Sequence, residues 1–311
     1  MLKRTIRQFT HLTSSRLIGV DAGSAAIKAV ELSQEHGRMT LERCAIADAK
    51  KESVAEVVKP LVSAYHVAAV RVAVGLASPE LIVRTVSFPA MPKKELQSAI
   101  HLEAEQAILN GHGVHEMAID WHPLVAEAGE GARGLLAVVP KTLVTTRLQA
   151  FAAARLRPAI VDVEGLALWN AYWSLLGQHE AESQTVLLAN IGARTTNLVI
   201  VKGRDQLLLM RDLRVGLEAI ASGRGVEWSE EVRDSLAYAR AKNGLRSLEA
   251  AYITGGGEER MFSPLAASTI PALVTFWNPL DQLKRGPDCP PIERRAGPLL
   301  PIAIGLALRH G

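Results

Sequence analysis

The sequence predicts a two-lobed α/β protein built around a ligand cleft, and three observations predict it. First, 311 residues exceed what one small core needs; chains of this size bury roughly 75% of their unfolded surface and divide at about 150 residues per domain. Second, an apolar strand that enters a glycine turn and returns as a strand occurs twice, around Gly23 and around Gly192. That is a repeat of structure with loose sequence identity. Third, a later apolar strand at 250–254 runs into Gly255-Gly256-Gly257.

Composition narrows the classes. Apolar residues are 48% and charged residues 22%, ordinary for a globular protein. A net charge of +3 gives no reason to expect a nucleic-acid partner. Lys3, Arg4, Arg7 and Arg16 fall in the first sixteen residues, which contain no acid. Segment 1–15 therefore reads as a basic flexible tail, either solvated or in weak contact with anionic lipid. Cys44 and Cys289 are the only cysteines and make neither a disulfide framework nor a zinc site. Reduced, structural thiols fit a cytoplasmic location. The N-terminal stretch lacks an apolar core of signal-peptide length, and the apolar run 299–308 falls short of the ~20 residues of a spanning helix. Any membrane contact is expected to be peripheral.

Each element follows from periodicity and turn residues. Residues 17–20 and 26–32 read as the first strand pair, 53–65 as a helix and 70–76 as a strand. Residues 80–156 read as an insert. It holds strands at 81–88, 118–125 and 135–139 and helices at 93–109 and 142–155. The apolar face of 93–109, with Leu96, Ala99, Ile100, Ala104, Ala107 and Ile108, has the 3.6-residue period. Strand 159–163 and helix 165–176 return to the first lobe, assigned 16–79 plus 157–185. Strands 186–191, 197–202 and 207–211, helix 228–243, strand 250–254 and a small helix and strand in 264–276 make the second lobe, 186–298. The stretch 284–298 reads as a loop, and 299–311 as a closing helix.

The three glycine turns carry the candidate chemistry. A polyphosphate suits backbone N–H groups presented by tight turns, and glycine allows the positive φ and close approach this needs. The cofactor-binding candidates are Asp21, Gly23, Ser24 and Lys28 at the first turn. At the second they are Asn190, Gly192, Thr195 and Thr196, and at the third Gly255, Gly256 and Gly257. Asp21 is also the metal candidate, because a carboxylate at a strand end can hold Mg²⁺ through waters. Two readings stand for Lys28, a phosphate contact or a local pair with a carboxylate. No catalytic residue is assigned. His112, His115 and His122 lack zinc-helix spacing and read as solvated loop residues.

The order of these segments resembles the actin-like ATPase superfamily and, within it, the PilM family of type IV pilus assembly. LIGVDAGSAAIKAVEL (17–32) is similar to the opening hairpin, and MPKKELQSAIHLEAEQAI (91–108) to the insert helix. IVDVEGLALWNAY (160–172) is similar to the connecting segment, VLLANIGARTTNLVIVKG (186–203) to the second hairpin, and YITGGGE (252–258) to the nucleoside turn. The resemblance implies a duplicated ribonuclease-H-like fold with two lobes around a nucleotide cleft and a small α/β insert subdomain in the first lobe. It implies ATP with Mg²⁺ as cofactors, and slow or negligible hydrolysis. It also implies a groove near Leu96, Ile100 and Glu103 for the cytoplasmic N-terminal peptide of a PilN-like inner-membrane protein. That partner would tether the chain peripherally to the inner membrane, in a type IV pilus or a related secretion machine.

The sequence departs from the family pattern twice. Asn190 stands where the family carries Asp, and loss of such a metal partner costs about 10–100-fold. The stretch 217–228 is short, so the second lobe reads as trimmed. Two rivals share the superfold: a small-molecule kinase, which needs a base and a carboxylate-held metal, and a filament-forming cytoskeletal protein.

Overall fold

A computed structural model describes residues 16–35, 38–63, 70–108, 113–124, 131–153, 155–177 and 184–309. Segment 1–15, read above as a basic tail, lies outside the described residues, as does His112. Strand β1 (Arg16–Ala22) turns at Gly23 into β2 (Ala26–Glu35), and β3 (Arg38–Asp48) follows. Helix α1 (Val54–Ser63) leads to β4 (Val70–Leu76), which lies parallel to β1. Ser53 and Glu56 form a reciprocal cap at the start of α1. The Ser53 backbone N–H and hydroxyl donate to the Glu56 carboxylate at 2.7 and 2.8 Å. Val57, Val58, Leu61 and Val62 then pack on Ile18, Val20, Val72 and Val74. Burial of each such side chain contributes about 1.5–3 kcal/mol.

Next come β5 (Ile82–Phe88), α2 (Lys93–Ala107), β6 (Met117–Leu124), β7 (Ala132–Pro140) and α3 (Lys141–Ala153). The three strands form their own sheet in the order β5-β7-β6. α2 lies over it through Ile100 and Ala104 on Met117, Leu136 and Val138. β8 (Ile160–Val163) rejoins the first sheet beside β4 and leads into α4 (Glu164–Leu175).

The second large sheet is built from β9 (Thr185–Ile191), β10 (Thr196–Lys202), β11 (Gln206–Leu213), β12 (Ala250–Gly255) and β13 (Leu273–Phe276). Its order is β11-β10-β9-β12-β13. Between β11 and β12 run the short α5 (Leu217–Ala219) and α6 (Gly225–Lys242); α7 (Glu259–Thr269) precedes β13. β9 is buried along its whole length because both of its faces are covered. Leu187, Ala189 and Ile191 meet Trp228, Val232 and Leu236 of α6, while Val186 and Leu188 share a core with α4. The two-residue β14 (Lys284–Arg285) adds to the first sheet, giving β14-β3-β2-β1-β4-β8. The closing helix α8 (Pro301–Ala307) packs on α4 and β1, so α4 and α8 lie between the two large sheets.

Several elements differ from the sequence expectation. β3 is absent from it because its apolar alternation is interrupted: a bulge between Glu31 and Leu32 in β2 skips Glu42 of β3. α7 begins at Glu259, and Pro264, the expected start, sits exposed inside it. The stretch 284–298, expected as a loop, contains β14 and most of a 3-10 turn at Arg294–Leu299. Helix character also begins upstream of Trp228, at Leu217 and again at Gly225.

Candidate functional site

The first turn hangs from the β1–β2 register, which sets Asp21 directly opposite Lys28. Lys28 Nζ donates to Asp21 Oδ2 at 2.7 Å, and both residues are buried. Of the two readings of Lys28, this is the local pair. Removing one partner of a buried pair leaves an uncompensated charge, which is what makes such pairs persist. At Gly23 an added Cβ would lie 3.0 Å from Ala26 O and 3.1 Å from Lys28 Nζ, so the turn keeps a bare concavity beside the ammonium. Ser24 is exposed on its rim.

The second turn closes with Gly192 N–H donating to Thr195 O at 2.9 Å. Helix α5 holds it from behind: Leu217 N–H donates to Gly192 O and Glu218 N–H to Ala193 O, both at 2.9 Å. Thr195 stays half-buried at the turn. Thr196 is fully buried, and its hydroxyl donates to Val215 O at 2.7 Å, so it braces the turn instead of facing a ligand. Asn190 starts a directed chain. Its Nδ2 donates to Asn197 Oδ1 at 2.9 Å, and Asn197 Nδ2 donates to Asp212 Oδ1 at 2.8 Å. Asp212 Oδ2 accepts the backbone N–H of Ser78 at 2.7 Å.

The third turn rests on the second. Parallel pairing of β12 with β9 aligns Thr254 with Asn190 and Gly255 with Ile191. Gly255 has φ +113°, and a Cβ there would lie 2.2 Å from Ile191 O, so only glycine fits. Gly256 N–H donates to Ile191 O at 2.9 Å. Leu217 side-chain carbons flank Gly256 and Gly257; a Cβ added at these glycines would lie 3.1 and 2.8 Å from them.

At the centre stands Glu164, the first residue of α4. Burial pushes its carboxyl up to about 8; the charges of Asp21 and Asp212 push the same way, and those of Arg147 and Lys28 oppose. Groups from the first turn, α3 and β11 thus converge on one buried acid. Burial also raises Asp212, to about 6, against the hydrogen bonds from Asn197 and Ser78. Arg147 of α3 donates through Nη1 to Ala22 O in the first turn. Sequence reasoning misses Glu164, Asp212 and Arg147. An acid in the first turn of a helix suits the dipole and attracts no notice. Asp212 offers a signal: a carboxylate, buried with the apolar residues around it, near the end of the strand that follows the second glycine hairpin.

The partner-groove candidates separate. Ile100 is 8% exposed and belongs to the core beneath α2, and Leu96 is half-buried against it. Glu103 pairs with Arg84 Nη2 at 2.5 Å, and the same nitrogen donates to Glu103 O at 3.0 Å, fastening α2 to β5. Leu102, beside them, is 56% exposed, and its place in the sequence does not single it out. His115 and His122 are exposed, and among the described residues no group of three or more His, Cys, Asp or Glu is arranged to hold a metal ion.

Two sheets that each carry a glycine hairpin, with two helices between them and a buried acid at the start of one of those helices, define a protein of the actin-like ATPase fold. The chain matches the family model described as type IV pilus assembly protein PilM over residues 19–222, and it belongs to that family. It is similar to a solved PilM-PilN type IV pilus biogenesis complex, at 25% identity over 94% of this chain and 97% of that one, with a TM-score of 0.74. It shares the fold of the cytoplasmic domain of EpsL, an inner-membrane component of the type II secretion system of Vibrio cholerae. That match has 13% identity, covers 94% and 95% of the two chains, and has a TM-score of 0.50. Among the described residues, no helix is long and apolar enough to cross a membrane.

Proposed function

We propose that this chain is a cytoplasmic, nucleotide-binding scaffold of a type IV pilus or related secretion machine. In this reading it holds ATP with little or no hydrolysis and recruits a PilN-like inner-membrane protein through that protein's cytoplasmic N-terminal peptide. The observation that carries the nucleotide reading is the set of glycine turns at the strand ends, Gly23 bare beside the Lys28 ammonium, Gly192 closed on Thr195, and Gly255 packed on Ile191 of the same hairpin. Gly23 and Gly192 leave the turns bare for phosphate, Ser24 and Thr195 add hydroxyl donors, and Lys28 holds the Asp21 carboxylate in place at the first turn. Gly255 to Gly257 form the nucleoside turn. Asp21 is the carboxylate for a water-mediated Mg²⁺, with phosphate oxygens completing the shell.

Weak hydrolysis is supported by Asn190. Its amide is committed to Asn197, so β9 ends without a carboxylate to help hold the metal. The partner reading draws on the PilM-PilN neighbour and on Leu102, exposed on the side of α2 turned away from buried Ile100, with Ile100 and Glu103 holding α2 in place. We assign the units as 16–79 plus 157–185, the insert 80–156, the shortened second lobe 186–298 and the closing segment 299–311. The test is fluorescence anisotropy of a labelled N-terminal peptide from a PilN-like protein. Saturable binding by the intact chain supports the reading; no binding at any accessible concentration removes the partner from it.

A further inference from the structure

We propose that Arg147 is a positioning residue that ties the three-stranded sheet of residues 82–140 to the first glycine turn, so that what happens on one is felt at the other. The tie rests on contacts alone; its consequence for ligand binding rests on the nucleotide reading of that turn.

α3 starts at Lys141, directly after Pro140 ends β7, the central strand of that sheet. There is no loop to absorb motion between them. Lys141 Nζ also donates to His115 O at 2.8 Å, just before β6. Further along α3, Arg147 Nη1 donates to Ala22 O, and Phe151, four residues on, is fully buried among Ile18, Val20 and Val74. Residues four apart share a helix face. One face of a rod of about 20 Å is thus fused to the sheet at one end and clamped beneath the first turn at the other. The guanidinium also lies within electrostatic reach of Glu164, so it addresses the turn and the buried acid together. Its planar fork can serve both, whereas a lysine ammonium is a point charge. By linkage, a ligand at the turn and a partner on the sheet then change each other's affinity by the same factor.

The experiment is amide hydrogen exchange by mass spectrometry on the full chain, comparing wild type, Arg147→Ala and Arg147→Lys, with and without Mg-ATP. Without nucleotide, R147A is expected to speed exchange at 22–25 by about ten-fold, the effect of losing one charged hydrogen bond, and R147K to restore part of the protection. With nucleotide, wild type is expected to change exchange in 117–124 and 132–140, and R147A to lose that remote change while keeping direct protection at 192–196. Unchanged exchange at 22–25 in R147A overturns the tie. A remote response that survives in R147A overturns the transmission. If nucleotide alters nothing in any variant, the nucleotide reading fails and transmission with it, while the nucleotide-free comparison still decides the tie. Should R147A not fold, R147K alone carries the nucleotide-free comparison, with partial loss of protection at 22–25 expected.

Discussion

The backbone N–H of Ser78 donates to Asp212 Oδ2 at 2.7 Å, across 134 positions of chain, just beyond the end of β4. The bond joins the loop after β4 of the first sheet to β11, the edge strand of the second. It uses a carboxylate that burial raises to about 6, and Glu164, which interacts with it, is raised further, to about 8.

Those two acids give a signed pH dependence. A carboxyl whose folded pKa is raised contributes stability below its unfolded pKa, and that contribution is lost as pH rises through the folded value. The windows run from about 4 to about 6 for Asp212 and from about 4.5 to about 8 for Glu164. Glu164→Gln is therefore expected to gain stability relative to wild type as pH increases, steadily across the window from about 4.5 to about 8. Calorimetric melting of both proteins from pH 4.5 to 8.5 checks this. A difference that stays flat with pH removes Glu164 as a buried, uncompensated acid.

Asn190→Asp restores the family's carboxylate and is expected to destabilise this chain by about 1–3 kcal/mol at pH 8. Aspartate cannot donate to Asn197 Oδ1, and rotating the Asn197 amide to meet it withdraws the donor from Asp212. At pH 5 the loss should shrink, because protonated Asp212 can donate. Chemical denaturation at the two pH values measures it; equal loss at both contradicts the directed chain.

Thr195 and Thr196 are neighbours in sequence with opposite expected effects. Thr196→Val leaves Val215 O without its donor in a fully buried position and should cost about 1–3 kcal/mol of stability with nucleotide affinity little changed. Thr195→Ala should weaken nucleotide binding several-fold with melting unchanged. The reverse assignment would mean that Thr196, not Thr195, faces the ligand.

Ile100→Ala empties part of the core under α2, and large-to-small changes of this kind cost about 2–5 kcal/mol. Leu102→Ser, on an exposed position, should leave melting within about 0.5 kcal/mol while weakening the PilN-like peptide. Anisotropy beside thermal melts separates the two, and retained peptide affinity in L102S moves the groove elsewhere.

What is legible in the sequence is local. The strand–glycine–strand units stand out because continuous apolar runs meet Gly23 and Gly192, and α2 because its apolar residues recur at helical spacing. β3 is not legible, because a bulge shifts its register, and α7 reads short because Pro264 is tolerated inside it. The site's middle is hidden for another reason. Glu164, Asp212 and Arg147 lie on three separate elements and Ser78 in the loop after β4, and only tertiary packing brings them together. Thr196 illustrates the same limit: a hydroxyl beside a glycine turn reads as a ligand donor until its bond to Val215 is seen.

Whether this chain holds nucleotide without turning it over is decided by a calorimetric titration of the intact chain with ATP, with and without Mg²⁺, with phosphate release followed in the same samples. Saturable binding in the micromolar range with no appreciable release is expected. Absence of binding would contradict the nucleotide reading, and brisk turnover on addition of a small hydroxyl acceptor would contradict the scaffold and make the chain a kinase.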